Sequence, residues 1–194
     1  WGYKGSDADF IKMFQTAREA IRANDPNGKL LGPKYGVLPT GLKHLERLLP
    51  MGLGKQLDGL SSHSYGAWPD RVLARDVRRL VELAREYLPP DAKLMINELE
   101  GSFLYPKPAT EAQAAAAAMR GHLIWLGEGF DTSWFFYVFG AKHGLFYPLV
   151  NDRFNAGSHL SPTRCFATFA ALTRLLEGTT TIGPVDYLGD EIKA

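Results

Sequence analysis

Lys93-Leu94-Met95-Ile96-Asn97-Glu98-Leu99-Glu100-Gly101-Ser102 is the stretch on which the reading of this chain turns. Pro89-Pro90-Asp91 before it and Gly101 after it are turn residues. The apolar run between them predicts a buried strand that delivers an acid at its C-terminal tip. On strict alternation Leu94, Ile96 and Glu98 share one face. Two apolar side chains and then a carboxylate on one buried face is costly unless the carboxylate has partners. Glu98 is therefore the first candidate for a functional acid, and Glu100 the second.

Composition limits what such an acid serves. The 194 residues are 45% hydrophobic and 22% charged, enough apolar material for a sizeable core. Lys plus Arg number 22 against 21 Asp plus Glu, which gives no electrostatic case for nucleic acid or an anionic membrane. No stretch reads as a membrane span. The single cysteine, Cys165, excludes an internal disulfide and a multi-cysteine metal site, and it sits in an apolar helical pattern that makes it a core residue.

Outward from the central strand, helices and strands alternate. Ser6-Asp7-Ala8-Asp9 caps a helix whose apolar positions are Phe10, Met13, Phe14, Ala17 and Ile21. Lys29 to Pro33 reads as a short buried strand, Gly41 to Leu49 as a helix stopped by Pro50, and Gln56 to Gly66 as a strand with Ser61, His63 and Tyr65 on one face. Arg71 to Tyr87 is an amphipathic helix. Thr110 to Leu126, with its alanine run, is a helix of high propensity. Ser133 to Phe139 is an aromatic strand. Ser161-Pro162 reads as the cap and first turn of a last helix ending at Glu177.

Alternating strands and helices imply an α/β fold with a parallel sheet. An open doubly wound sheet and part of a (β/α)8 TIM barrel both fit. Gly32-Pro33-Lys34-Tyr35-Gly36 stands where a nucleotide-binding fold carries its phosphate loop, which counts against the first. In either architecture function collects at the C-terminal strand tips. Those tips carry Lys34 and Tyr35, then His63, Tyr65 and Trp68, then Glu98 and Glu100, then Tyr137, Phe139, Lys142 and His143. A carboxylate, an imidazole, a phenol and several aromatic faces suit a neutral polyhydroxylated ligand, whose ring stacks on aromatics and whose hydroxyls bond the polar groups.

Asp58-Gly-Leu-Ser-Ser-His-Ser-Tyr-Gly66 followed by Leu94-Met-Ile-Asn-Glu-Leu-Glu-Gly101 resembles the sixth and seventh strands of retaining glycoside hydrolases of the clan A TIM-barrel type, particularly families 39 and 5. In that group the sixth strand ends in His-x-Tyr and the seventh in a pattern such as Ile-Thr-Glu; Asn97 replaces the usual Thr. The resemblance implies that Glu98 is the nucleophile, that Tyr65 orients it, and that His63 binds substrate; Trp68, Lys34 and Tyr35 are further substrate-binding candidates by their place at the strand tips. Tyr137 is the nearest match to the aromatic platform of the eighth strand.

The same resemblance implies that residues 1–178 form barrel strands five to eight with their helices. Residues 179–194 would begin a following β-sandwich segment or tail. The general acid/base and the first half of the barrel would lie upstream of Trp1, the missing half being the expected partner. No cofactor is expected, and the expected ligand is a carbohydrate. Glycan-degrading enzymes are commonly secreted, which favours an extracellular or periplasmic location. Two alternatives stand beside this reading: a carbohydrate-binding half-barrel without catalysis, and a metal-dependent TIM-barrel hydrolase using His63, Glu98 and His143.

Overall fold

The computed structural model describes residues 3–35, 38–65, 70–99, 110–136, 146–148 and 160–182. Helix α1 (Asp7–Asn24) opens on a capping box in which Ser6 and Asp9 each satisfy the other's backbone N–H. Its Phe10, Ile11 and Phe14 pack against the main core. Helix α2 (Leu38–Leu48) begins three residues before the predicted Gly41. Pro50 does not stop the chain's coiling there: it takes an early position of a wide π-type turn, Leu49–Leu53, where its lack of an N–H costs little.

The remaining elements are β1 (Gly59–His63), α3 (Asp70–Tyr87), β2 (Lys93–Leu99), α4 (Glu111–Gly127), β3 (Thr132–Phe135), β4 (Phe146–Pro148), β5 (Leu160–Pro162) and α5 (Arg164–Leu176). The fold is thus mixed α/β, with β1, β2 and β3 forming a parallel sheet in chain order. Residues 30–35 run alongside the free edge of β1. Leu31 bridges to Gly59, and Tyr35 O accepts from His63 N at 3.2 Å. The predicted first strand is therefore present only as this short ribbon.

Ser161-Pro162 is not the cap of α5. Those residues pair antiparallel with β4, and the cap is Thr163, whose hydroxyl accepts from Phe166 N at 3.3 Å. The Glu111 carboxylate also accepts from Arg164 N, so one of the helix's orphan donors is met from α4. The expected tail segment falls mostly on residues 183–194, outside the described residues. No described helix is long and apolar enough to cross a membrane.

Helices α2, α3, α4 and α5 neighbour one another in sequence order. Leu60, Leu94 and Ile96 of the sheet share one buried cluster with Val77, Leu80 and Val81 of α3 and Trp125 of α4. That is the helix-covered face. Ser61 and Met95, which point the other way, are only partly buried, and Trp134 on the same side is 57% exposed.

Two aspartates fasten the N-terminal ends of the strands. Asp58 accepts from Leu30 N through Oδ2 at 2.8 Å while its own N–H bonds Leu30 O at 2.8 Å. Asp131 repeats the arrangement on Leu94, at 2.8 and 2.9 Å. Asp58 also takes Arg22 at 2.8 Å and Arg18 at 3.4 Å, which ties α1 beneath the sheet. Burial pushes the Asp58 carboxyl up, but the Leu30 N–H and the nearby Arg18, Arg22 and Lys29 outweigh it. The net result is a carboxyl held below the usual range.

Candidate functional site

The face that Glu98 occupies is set by a bulge. Ser62 pairs with Ile96, but His63 pairs with Glu98, so Asn97 is an extra residue against β1. On the other side Ile96 pairs with Ser133 and Leu99 with Phe135, leaving Asn97 and Glu98 together opposite Trp134. Paired residues of parallel strands point to the same face, and alternation from Ser62 carries His63 away from the helices. Glu98 goes with it. The strict alternation that groups Glu98 with Leu94 and Ile96 is thereby corrected: those two face the helices and Glu98 faces the other way.

On that face Glu98 finds the partners that a half-buried carboxylate needs. Its Oε2 accepts from the Tyr65 hydroxyl and lies 2.9 Å from His63 Nδ1. Its Oε1 lies 4.0 Å from Lys34 Nζ. The Tyr65 and His63 rings meet edge to face at 5.3 Å, and Phe136 stands 6.5 Å from Tyr65. Backbone bonds hold the frame, since Ser64 N donates to Glu98 O at 3.0 Å. Burial pushes the His63 imidazole below its ordinary pKa and Lys34 adds to this, while Glu98 opposes it. A neutral His63 that keeps its proton on Nδ1, beside Glu98, leaves Nε2 as an acceptor. That Nε2 is buried and has no hydrogen-bond partner among the described residues.

Three of the residues expected around Glu98 are therefore brought to it: Tyr65, His63 and Lys34. Tyr35 is not. Its ring lies over Gly41 and against His44 of α2, with centroids 5.5 Å apart. Burial pushes its hydroxyl up to about 12, against Arg47, with Asp7 adding to the rise. Only its backbone carbonyl supports the site. Trp68, Glu100, Tyr137, Phe139, Lys142 and His143 lie outside the described residues.

One residue was missed. Trp134 holds the register position opposite the Asn97–Glu98 pair and is 57% exposed, an aromatic side chain on the same sheet face. The signal was available, because Trp134 and Phe136 share a parity along β3. Ser133 and Phe135, of the other parity, face the helices. There Ser133 Oγ meets His122 Nδ1 at 2.5 Å, and the His122 ring stacks on Phe135 and packs against Phe169. His122 is 1% exposed, and burial pushes its pKa down to about 4.

A cavity of about 520 Å³ opens beside His122, between α4, β3 and α5. It lies behind the sheet from Glu98. Its walls combine Leu126, Phe169, Leu172 and Leu176 with polar residues that include His122 and Glu177, but Glu177 is paired with Arg174, and the carboxylate cluster is the stronger candidate for chemistry. Among the described residues no group of three or more His, Cys, Asp or Glu side chains is placed to hold a metal ion. No protein-family model matches the chain, and no curated protein is similar to it.

Proposed function

We propose that this protein is a retaining glycoside hydrolase with Glu98 as its nucleophile, and that its sheet is part of a (β/α)8 barrel. The observation that carries the reading is the setting of one oxygen of Glu98, which accepts from the Tyr65 hydroxyl and lies 2.9 Å from His63 Nδ1. The Tyr65 hydrogen bond and the adjacent imidazole hold Oε2 in place and leave Oε1 for attack on an anomeric carbon. Trp134 offers an apolar plane on the same sheet face, and His63 and Lys34 supply polar contacts for hydroxyls.

The barrel reading draws on topology. Strands that follow one another in space as they do in sequence, with the helices layered on one face, suit a sheet that closes on itself. A doubly wound sheet reverses its strand order and carries helices on both faces. In a closed barrel the face bearing Glu98 becomes the interior and its C-terminal mouth.

In the proposed reaction Glu98 attacks the anomeric carbon while a second carboxyl protonates the departing oxygen, and water then releases the sugar from Glu98. Retention requires the two carboxyl groups about 5 to 5.5 Å apart. The residue resemblance assigns the second to the end of the barrel's fourth strand. No cofactor takes part.

The test is turnover of a panel of 4-nitrophenyl glycosides by the full-length protein and its Glu98→Gln variant. The substitution should abolish release of 4-nitrophenol. Wild-type turnover in Glu98→Gln refutes the assignment, and saccharide binding without any hydrolysis points to a carbohydrate-binding domain instead.

A further inference from the structure

The bulge does more than turn Glu98: it brings two consecutive side chains to the site face. Asn97 and Glu98 together occupy the place of one residue against both His63 and Trp134, so both lie on the side away from the helices. Asn97 Oδ1 is buried with no hydrogen-bond partner among the described residues. His63 Nε2, on the neighbouring strand, is in the same condition. With the imidazole proton on Nδ1, the nitrogen 2.9 Å from Glu98, Nε2 is a lone-pair acceptor, as is a carboxamide oxygen. Two unmet acceptors thus flank one carboxylate. A buried acceptor without a donor is unfavourable, so such a pair is matched by a ligand rich in hydroxyl donors.

We infer that Asn97 is a specificity residue of the Glu98 site, its carboxamide oxygen accepting a hydrogen bond from a sugar hydroxyl next to the carbon that Glu98 attacks. The inference rests on the glycosidase reading. It departs from the pattern that the sequence resembles, where a threonine stands before the nucleophile. That hydroxyl is the one on C2, the hydroxyl-bearing ring carbon bonded to the reacting carbon. The remaining acceptor, His63 Nε2, takes a second hydroxyl of the same ring, while Trp134 stacks on its apolar face.

Binding rather than turnover tests this, because binding does not depend on the second carboxyl. The probes are D-glucose, D-mannose, D-galactose, D-xylose and L-arabinose, titrated into the isotopically labelled protein and followed on the His63 imidazole and Asn97 carboxamide signals. The tightest sugar is then compared with its 2-deoxy form in wild type, Asn97→Ala and Asn97→Thr. One hydrogen bond of ordinary strength corresponds to about tenfold in affinity.

The expected result is a loss of about tenfold for the sugar in Asn97→Ala and little change for its 2-deoxy form. Asn97→Thr, which keeps an acceptor oxygen, should recover part of the loss. A structural role alone would weaken both ligands equally. Equal weakening, or no change in Asn97→Ala, overturns the inference and leaves the Glu98 reading intact. If no sugar binds the wild type, the sugar-site reading and the inference fall together.

Discussion

Acidification should destabilise this protein through one residue that takes no part in the proposed chemistry. His122 is 1% exposed, is packed between Phe135 and Phe169, and has Ser133 Oγ as its hydrogen-bonding neighbour at 2.5 Å. Burial holds its pKa at about 4 in the folded chain, against 6.5 when solvated. The unfolded chain therefore binds the extra proton between those two values, and stability falls as pH falls through that window. At about 1.4 kcal/mol per pH unit, the gap is worth about 3 kcal/mol between pH 7 and pH 4. That is a large share of the ~5 to 15 kcal/mol that typically holds a domain together.

The assay is urea denaturation at both pH values for wild type and His122→Phe. The phenylalanine fills the aromatic slot and carries no proton. Wild type should lose about 3 kcal/mol more than the variant on acidification. His63 acts in the same direction but is present in both proteins, so it cancels from the comparison. Asp58 adds its own loss only as pH drops past 3.8. An equal acid loss in the two proteins refutes the argument, as does an imidazole titration of His122 near 6.5 by NMR.

Two further outcomes follow from other contacts. Asp58→Ala removes the acceptor of Leu30 N and the partner of Arg22 and Arg18, and should cost about 3 kcal/mol in urea denaturation; a change below about 0.5 kcal/mol means that the clamp is unimportant. Tyr65→Phe removes the hydroxyl that donates to Glu98 Oε2. It should lower kcat/KM on a hydrolysed aryl glycoside by about 10- to 100-fold, a charge-assisted bond being worth about 1.5 to 3 kcal/mol, with the melting temperature nearly unchanged. Full activity in that variant contradicts the orienting role of Tyr65.

Much of the fold was legible because it rests on periodicity. The apolar spacing of α3, the capping pattern at Ser6 and the alanine run of α4 each made one local choice that packing did not reverse. The carboxylate cluster was legible as a set of strand tips. Its geometry was not, since an alternating pattern assumes one residue per step and Asn97 breaks the count. A bulge leaves no mark in composition. Tyr35 failed for a related reason: a residue at a strand tip can turn its ring back onto the next helix, and Gly41 makes room for it there. The cap of α5 was misplaced because Ser-Pro and Thr both carry start signals, and pairing with β4 claimed the first.

The aspartate clamps divide the sheet into two fastened pairs. One joins the ribbon 30–35 to β1 through Asp58, and the other joins β2 to β3 through Asp131. Lys34, His63 and Tyr65 belong to the first pair, whereas Glu98 and Trp134 belong to the second. The carboxylate thus meets Tyr65, His63 and Lys34 across the seam between β1 and β2. That seam is paired along its length, from Asp58 O accepting Lys93 N at 3.0 Å to Glu98 O accepting Ser64 N at 3.0 Å, so the cluster forms only as β1 and β2 come into register.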